Sequence, residues 1–356
     1  IEMYNNNVKE EVIAELYNSE LKKQASISSI KRTIRKWRKQ YAIIGVRNEI
    51  EQHSPEMIAH NLKGLTVQRD SHGNIVQYWT KTKPEENERY NQILEAIKEI
   101  KPYKLEQNTN IQTTKEETLL EIPLFDMHFG INTYKDYKGV LEDISDLIRL
   151  KQRKKIIFVI GQDLFHNNDL KGNTSNGTPI EKVDMKKAIN DAYNFYFELV
   201  NIAYDYADEV EIIYSKGNHD ESAAFIFLQM FAKMFSEDIK FDLSLDDKKV
   251  RTFGKVFIGW SHSDKGKKNV NRNIRDIRGV FAELFKMKWA KTDVRELHFG
   301  HLHHEKPGDG LGFMVRVLST AAKTDQWHLE NDYVGSHKRF MLFEYSAKKL
   351  KTIHYI

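Results

Sequence analysis

The chain has 356 residues, of which 40% are hydrophobic, and its net charge at pH 7 is +4. This length predicts about two domains, and the hydrophobic share excludes a chain that is disordered throughout. The absence of cysteine excludes disulfides, thiolate metal sites and cysteine nucleophiles. We find no signal-peptide pattern at the amino terminus and no run of the roughly 18 apolar residues that a membrane span needs. We therefore expect a soluble cytoplasmic protein that does not bind membranes.

Residues 1–58 are predicted to form a helical, basic region. One helix, capped by Ser26 or Ser28, contains no acidic side chain in the stretch that carries its basic residues. The basic residues are Lys31, Arg32, Arg35, Lys36, Arg38 and Lys39. Such a helix either binds DNA phosphates, as part of a helix-turn-helix-like module, or is a solvated helix face. Only two helices are clear in this region, so the sequence leaves both interpretations open.

Residues 59–117 are predicted to contain a β-hairpin, a helix and a linker. The alternating runs LTVQRD and IVQYWTK flank the turn sequence SHGN, which is typical of a hairpin. After Pro84, apolar residues at helical spacing predict a helix in EENERYNQILEAIKEI. The polar stretch YKLEQNTNIQTTKEET has no periodicity and is predicted to be a linker, with a domain boundary near Glu117.

Residues 118–356 are predicted to form an α/β domain. Short apolar runs predict buried strands in LLEIPLF, KIIFVI, VEIIYS, KVFIGW, ELHF and VRVLS. Helical stretches lie between some of them, including VLEDISDLIRLKQR and MKKAINDAYNFYFELVNIAYDYA. Alternation of strands and helices favours a partly parallel sheet, and the closer spacing of the later strands predicts antiparallel additions.

Most of these strand-like runs lead into side chains that can bind metal ions. The polar residues form the motifs D-x-H, G-Q-D, G-N-H-D, S-H and G-H-L-H. In order, they supply Asp126, His128, Asp163, Asn218, His262, His301 and His303. Side chains at the carboxyl ends of strands converge in open α/β sheets, so we expect these groups to meet. Carboxylate, amide and imidazole ligands suit manganese, iron or zinc, and the lack of thiolates disfavours a closed structural zinc site.

The ordered motifs resemble those of the calcineurin-like metallophosphoesterases, and GQDLFHNN and GNHD are most similar to SbcD-type DNA repair nucleases. The resemblance covers roughly residues 119 to 356. It implies a four-layer metallophosphoesterase β-sandwich flanked by helices, an α/β (α+β) fold. It also implies that Asp126, His128 and His303 hold one ion. The second ion would be held by Asn218, His262 and His301, and Asp163 would bridge the two.

The same resemblance implies three catalytic residues. His219 would protonate the leaving oxygen or stabilise charge, His166 would steer the nucleic-acid strand, and Asp220 belongs to the same motif as His219. His298 and His304 are interpreted instead as packing or surface residues. Gln162 departs from the family pattern, which usually has glycine directly before the bridging aspartate. The polar loop 167–179 is also longer than in compact members and is predicted to change access to the site.

The predicted function is a two-metal-dependent phosphodiesterase, a DNA nuclease that uses a metal-activated hydroxide. Mn²⁺ is the preferred ion, with Fe²⁺, Zn²⁺ and Mg²⁺ as alternatives. A phosphatase or cyclic-nucleotide phosphodiesterase of the same superfamily is one alternative, and a non-catalytic DNA- or protein-binding module is another. We expect DNA as partner and a bacterial or bacteriophage origin. The sequence, whose last given residues are FMLFEYSAKKLKTIHYI, does not support an SMC-like ATPase partner, and the oligomeric state, including a homodimer, stays open.

Overall fold

A computed structural model of the protein describes residues 61–69, 75–83, 86–108, 111, 113–235, 238–262, 274–323 and 337–356. The chain divides into two units, Ile1–Ile93 and Leu94–Ile356. The basic helix predicted around residues 31–39 lies outside the described residues, as does the rest of the helical region 1–58. Of the described helices, none combines the length and apolar character that crossing a bilayer requires.

The predicted hairpin and the helix that follows it are both present. Strand β1 (Asn61–Arg69) pairs antiparallel with β2 (Ile75–Lys83), with Val67 opposite Tyr78. Helix α1 spans Glu86–Lys98. These elements confirm the hairpin and helix predicted from alternating and helical spacing.

The first large sheet has six strands and is parallel at its centre. In chain order its strands are β3 (Lys115–Pro123), β4 (Gln152–Gly161), β5 (Val210–Ser215), β6 (Lys240–Asp242), β12 (Met341–Ser346) and β13 (Leu350–Tyr355). Their spatial order is β13-β12-β3-β4-β5-β6, and only the two pairs that contain β12 are antiparallel. Helices α2 (Lys138–Arg149), α3 (Met185–Tyr206) and α4 (Glu221–Met234) connect successive strands.

The second sheet has five strands, in the order β10-β11-β9-β8-β7. Its strands are β7 (Lys249–Phe253), β8 (Val256–Ser261), β9 (Val294–Phe299), β10 (Lys306–Gly310) and β11 (Phe313–Val317). Strands β8, β9 and β11 are parallel, whereas β7 and β10 are antiparallel edge strands. Helices α5 (Ile274–Leu284) and α6 (Lys286–Ala290) lie between β8 and β9 in the chain. The antiparallel additions predicted from the sequence are therefore present.

Alternating strand residues build the layers. On β4, Ile157 and Val159 belong to a core shared by the two sheets, while Ile156 and Phe158 pack with the helices of the first sheet. On β8, Phe257 packs instead with apolar residues of α5 and α6. Successive strand residues point to opposite faces, so each sheet is covered on both sides. The order helix–sheet–sheet–helix confirms the predicted four-layer sandwich.

A buried polar cluster lies within the core between the sheets. The carboxylate of Glu121 accepts hydrogen bonds from Trp260 Nε1 at 2.6 Å and from Tyr345 Oη at 3.0 Å. His298 Nδ1 lies 2.7 Å from the same carboxylate, and none of these side chains is exposed. Charged groups are almost never buried without partners, because burial removes them from water. The hydrogen bonds within this cluster offset that cost. Of the two interpretations of His298, a packing or a surface residue, the structure shows the first.

Candidate metal centre

The predicted ligands lie just beyond the carboxyl ends of parallel strands in both sheets. Residues 126–129 continue alongside residues 162–164 after β3 and β4 have ended. Asp126 N donates to Gln162 O at 2.8 Å, and His128 N donates to Asp163 O at 3.0 Å. This extended pairing fixes the backbone that presents Asp126, His128 and Asp163. The same edge of the second sheet carries the ligands that follow β8 and β9.

One cluster of side chains consists of Asp126, His128 and His303. Their potential ligand atoms all lie within 4.8 Å of one another, and all three residues are buried. His128 Nε2 lies 3.2 Å from His303 Nε2, which in turn lies 3.4 Å from Asp126 Oδ1. One carboxylate and two imidazoles converge on one point from the ends of β3 and β9. This group can hold a metal ion.

A second cluster consists of Asp163, His262 and His301, with the amide of Asn218 beside it. The ligand atoms of the first three also lie within 4.8 Å of one another. His262 Nε2 is 3.0 Å from Asp163 Oδ2 and 2.9 Å from Asn218 Oδ1. This contact joins the second sheet to the first, because His262 follows β8 whereas Asp163 and Asn218 follow β4 and β5. All seven predicted ligands are thus brought into two neighbouring groups.

Backbone hydrogen bonds tie the two clusters together. The backbone N–H of His301, a member of the second cluster, donates to both carboxylate oxygens of Asp126, at 2.9 and 3.1 Å. His219 N donates to Asp163 Oδ1 at 2.7 Å. Both carboxylates therefore accept hydrogen bonds from the backbone, and these bonds restrict rotation of the two side chains.

The backbone of the site is held in an uncommon conformation. Among the described residues other than glycine, positive φ occurs only at Asp126, His128, Gln162, Asp163, His301 and His303. Five of these six are predicted ligands. The left-handed region is costly for residues with a Cβ and is concentrated at functional sites, where the surrounding structure enforces it. The uncommon backbone conformation therefore coincides with the predicted metal ligands.

Two glycines allow the loops to approach the ligands closely. A Cβ at Gly217 would lie 2.1 Å from Asp163 Oδ1, and one at Gly300 would lie 2.8 Å from Asp126 Oδ2. Either contact would displace a carboxylate. The G-N-H-D and G-H-L-H motifs therefore need glycine because each loop packs against an aspartate of the opposite loop.

The protonation states fit a metal-binding role. Burial, together with the neighbouring charges of His219 and His303, holds the pKa of His128 well below its usual value. Burial opposes ionisation of Asp163, but the charges of His262 and His219 outweigh it and hold the pKa of Asp163 well below its usual value. A neutral imidazole and an ionised carboxylate are the forms that bind metal ions. His128 Nδ1 is also buried without a hydrogen-bond partner. This nitrogen is therefore not occupied by a hydrogen bond within the protein.

His166 and His219 form a third group with His128. The ring centroid of His219 lies 4.8 Å from that of His128 and 5.3 Å from that of His166. His219 Nδ1 lies 2.9 Å from the carbonyl oxygen of His166 and donates to it. The structure thus brings both predicted catalytic histidines to the edge of the first cluster. His304, interpreted as a packing or surface residue, pairs Nδ1 with Leu302 O at 2.8 Å.

Asp220 supports the loop after β4. Its side chain is fully buried, and Oδ2 accepts from Phe165 N at 2.8 Å. Burial and the charge of Asp163 raise the pKa of Asp220 well above its usual value. The structure gives Asp220 a supporting contact, and its predicted catalytic role stays a prediction.

The long polar loop 167–179 caps helix α4. Asp220, at the start of that helix, makes no capping bond with its own side chain. Instead, Ser175 Oγ accepts from Glu221 N at 2.7 Å. Asn168 Oδ1 accepts from Ser222 N at 2.8 Å and from Ala223 N at 3.2 Å. The first three amides of α4, which no residue of the helix can satisfy, are thus bonded by the loop. This function of the loop was not predicted from the sequence.

Three further residues support the first cluster and were missed by sequence reasoning. Thr320 Oγ1 donates to Asp126 O at 2.8 Å. Asn132 Nδ2 and the hydroxyl of Tyr137 both donate to Met127 O, at 3.0 and 2.5 Å. These bonds satisfy the carbonyls of Asp126 and Met127, in the loop that presents Asp126 and His128. Of the three, only Thr320 could have been suspected from the sequence, because it directly follows the strand-like run VRVLS.

The two mixed sheets, packed between helices, are consistent with a metallophosphoesterase fold. No protein-family model and no curated protein matches the chain. Vps29 from Entamoeba histolytica complexed with Zn²⁺ is similar at 14% identity and a TM-score of 0.34, over 67% of this chain and 97% of that one. Vps29 from Cryptosporidium parvum is similar at 13% and 0.35, over 67% and 97%. A predicted phosphoesterase from Streptococcus pneumoniae is similar at 10% and 0.29, over 67% and 88%.

Proposed function

We propose that this protein is a two-metal-dependent phosphodiesterase of the calcineurin-like metallophosphoesterase superfamily, and that its substrate is DNA. The observation that carries the proposal is the pair of clusters at one edge of the sandwich. One contains Asp126, His128 and His303, and the other contains Asp163, His262 and His301. Carboxylate and imidazole side chains thus converge from four separate loops, and five of the six residues have the left-handed backbone that is concentrated at functional sites.

Divalent cations at these clusters would supply Lewis acidity toward a phosphate and lower the pKa of water to about 7. The ligand set favours Mn²⁺, since hard oxygen and borderline nitrogen donors are combined without sulfur. Asn218, whose Oδ1 lies 2.9 Å from His262 Nε2, completes the second cluster. The charge of Asp163 interacts with His262 of its own cluster and with His128 of the other, so this carboxylate is the proposed ligand shared by the two ions.

His219 is the proposed proton donor. Because its Nδ1 proton is donated to His166 O, Nε2 carries a proton only in the imidazolium form. In that form Nε2 can transfer a proton to the oxygen of the leaving group, whose bond to phosphorus breaks as water attacks from the opposite side. His166 fixes the orientation of the His219 ring through its own carbonyl oxygen. Its predicted contact with the nucleic-acid strand is part of the proposal.

The choice of DNA is supported by two features of the sequence. The strings GQDLFHNN and GNHD are most similar to SbcD-type nucleases, and the six basic residues between Lys31 and Lys39 suit binding to a phosphate backbone. Neutralising Arg32, Arg35 and Arg38 together should weaken binding to DNA and reduce its salt dependence. Binding that is unchanged at low salt would remove this segment from the proposal.

The test is metal analysis followed by competition between substrates. Protein purified and reconstituted with Mn²⁺ would be assayed on plasmid, single-stranded DNA, bis-p-nitrophenyl phosphate and p-nitrophenyl phosphate. The proposal expects bound metal and preference for the diesters, with cleavage of DNA. Preference for the monoester would instead identify a phosphatase. If Asp163→Asn abolished hydrolysis but left every cellular effect intact, the protein would be a binding module.

A further inference from the structure

Gln162 lies directly before Asp163, between the two clusters. We propose that Gln162 is a positioning residue that holds the loop carrying His301 against the loops carrying Asp126 and Asp163, and so sets the affinity of the site for metal. The inference rests on the metal centre of the proposed function. It assigns a role to a residue that departs from the glycine usual at this place in the family.

The backbone of Gln162 joins three strand ends of the first sheet. Its N–H donates to the carbonyl oxygen of Ser215, the last residue of β5, at 2.8 Å. Its carbonyl accepts from Asp126 N, after β3, also at 2.8 Å. Gln162 itself follows β4. These bonds would form with any residue other than proline, so they account for the position of the loop but not for the choice of glutamine.

The side chain of Gln162 adds a link to the second sheet. Its Nε2 donates to Ser215 Oγ at 2.9 Å, and its Oε1 accepts from Gly300 N at 3.1 Å. Gly300 directly precedes His301, whose own N–H donates to Asp126. Two consecutive amides of the second-sheet loop are therefore bonded by two residues of the first sheet. These two hydrogen bonds set the distance between the loop that carries His301 and the loops that carry Asp126 and Asp163.

The conformation of Gln162 indicates that the side chain has a use. Its φ is +47°, a backbone conformation that glycine adopts readily and that is strained for glutamine. The residue is fully buried, and both ends of its amide are hydrogen-bonded. Without the amide, Gly300 N would lose its partner in a buried place. The hydrogen bonds to the loops therefore offset a strain that glycine would avoid.

The experiment measures binding of Mn²⁺ alone to the metal-depleted full chain by titration calorimetry. Gln162→Met keeps the size of the side chain and removes both hydrogen bonds. It should weaken Mn²⁺ binding about 10- to 100-fold, the range found when groups that orient ligands are removed. Gln162→Glu should retain most of the affinity, because the carboxylate still accepts from Gly300 N and the Ser215 hydroxyl can donate to it. Ile212→Val, a core change on β5, is the matched control and should leave affinity unchanged.

Mn²⁺ binding by Gln162→Met as tight as that of the wild type, with only a lower melting temperature, would show that Gln162 is merely structural. If Gln162→Met does not fold, Gln162→Gly replaces it, since glycine accepts the positive φ, and the same loss of affinity is expected. The proposed function fails separately: a wild type that binds Mn²⁺ but hydrolyses no phosphoester would refute that proposal and leave this inference intact.

Discussion

His128 and His303 face each other with their Nε2 atoms 3.2 Å apart. A single proton can lie between these nitrogens, and a second would repel the first. Because Asp126 Oδ1 lies 3.4 Å from the same nitrogen of His303, a cation between the three groups would satisfy all of them. The close approach of two imidazoles is thus understandable as a site built for an ion.

The first prediction is that divalent metal stabilises the fold. A ligand that binds only the native state at 100 times its dissociation constant adds about 2.7 kcal/mol to the free energy of unfolding. Differential scanning calorimetry of chelator-treated protein should show the melting temperature rising as Mn²⁺ is added. His128→Ala should shrink this rise. A melting temperature that is the same at all Mn²⁺ concentrations would contradict a native metal site.

The second prediction concerns Asp163, which contacts His262 Nε2 and His219 N. Asp163→Asn keeps the shape of the side chain but removes its negative charge. Metal content should fall, and kcat/KM on a diester substrate should drop at least about 100-fold, beyond the usual effect of residues around the ligands. Asp208→Asn, at the amino end of β5, is the control and should change neither. Full metal content in Asp163→Asn would count against the assignment of this carboxylate as a ligand.

The third prediction separates His219 from the ligands. Loss of a general acid typically slows turnover about 10²- to 10⁴-fold. His219→Ala should therefore lower kcat within this range, while atomic absorption shows nearly unchanged metal content. The ring of His219 contacts the first cluster at its edge, with its Nδ1 held by His166 O. Equal losses of metal and activity would identify His219 as a ligand or a structural residue.

The fourth prediction tests the cap that loop 167–179 provides for α4. Asn168 Oδ1 accepts from two amides at the start of this helix. Asn168→Ala should lower the free energy of unfolding by about 1 kcal/mol, the usual cost of a lost helix cap. Asn168→Asp keeps an acceptor and places a negative charge at the positive end of the helix, so it should be nearly neutral. Urea denaturation distinguishes them, and equal effects of the two changes would exclude capping.

The fifth prediction concerns the pH dependence of stability from His298. Burial opposes protonation of this ring, but the negative charges of Glu121 and Glu296 and the hydrogen bond to Glu121 raise the pKa of His298. Because the folded pKa lies above the unfolded value of about 6.5, the protonated pair stabilises the fold fully below that pH. The contribution is lost as pH rises through the folded pKa. The other groups that contact these carboxylates are Arg316, which pairs with Glu296, and Tyr345, which donates a hydrogen bond to Glu121.

The measurement compares the wild type with His298→Asn by urea denaturation from pH 6 to pH 9. The difference in the free energy of unfolding should be largest near pH 6, on the order of 3–5 kcal/mol for breaking a buried pair. It should shrink toward alkaline pH. Tyr345→Phe, which removes only a hydroxyl from Glu121, is the control and should give a difference that does not vary with pH in this range. A constant difference for His298→Asn would mean that His298 is neutral throughout.

Much of the large domain was predictable from local patterns. Runs such as KIIFVI and VEIIYS are apolar on both faces because each sheet is covered on both sides, and they became β4 and β5. Helix α4 was not predicted, because ESAAFIFLQMFAKM is apolar around most of its circumference and lacks the stripe of an amphipathic helix. Its amino end is also capped by Asn168, far away in sequence, so no local cap marked its start.

The candidate site shows the same division. The sequence by itself determined which side chains follow the strand ends, since chain order places Asp126, Asp163 and His301 after apolar runs. Only the tertiary structure decided that His262 meets Asp163 across the two sheets, and that Gln162 bonds Gly300. Those contacts depend on how the sheets pack and on left-handed backbone that no local propensity favours. Periodicity records which face of a strand is buried, but it carries no information about which strand ends meet.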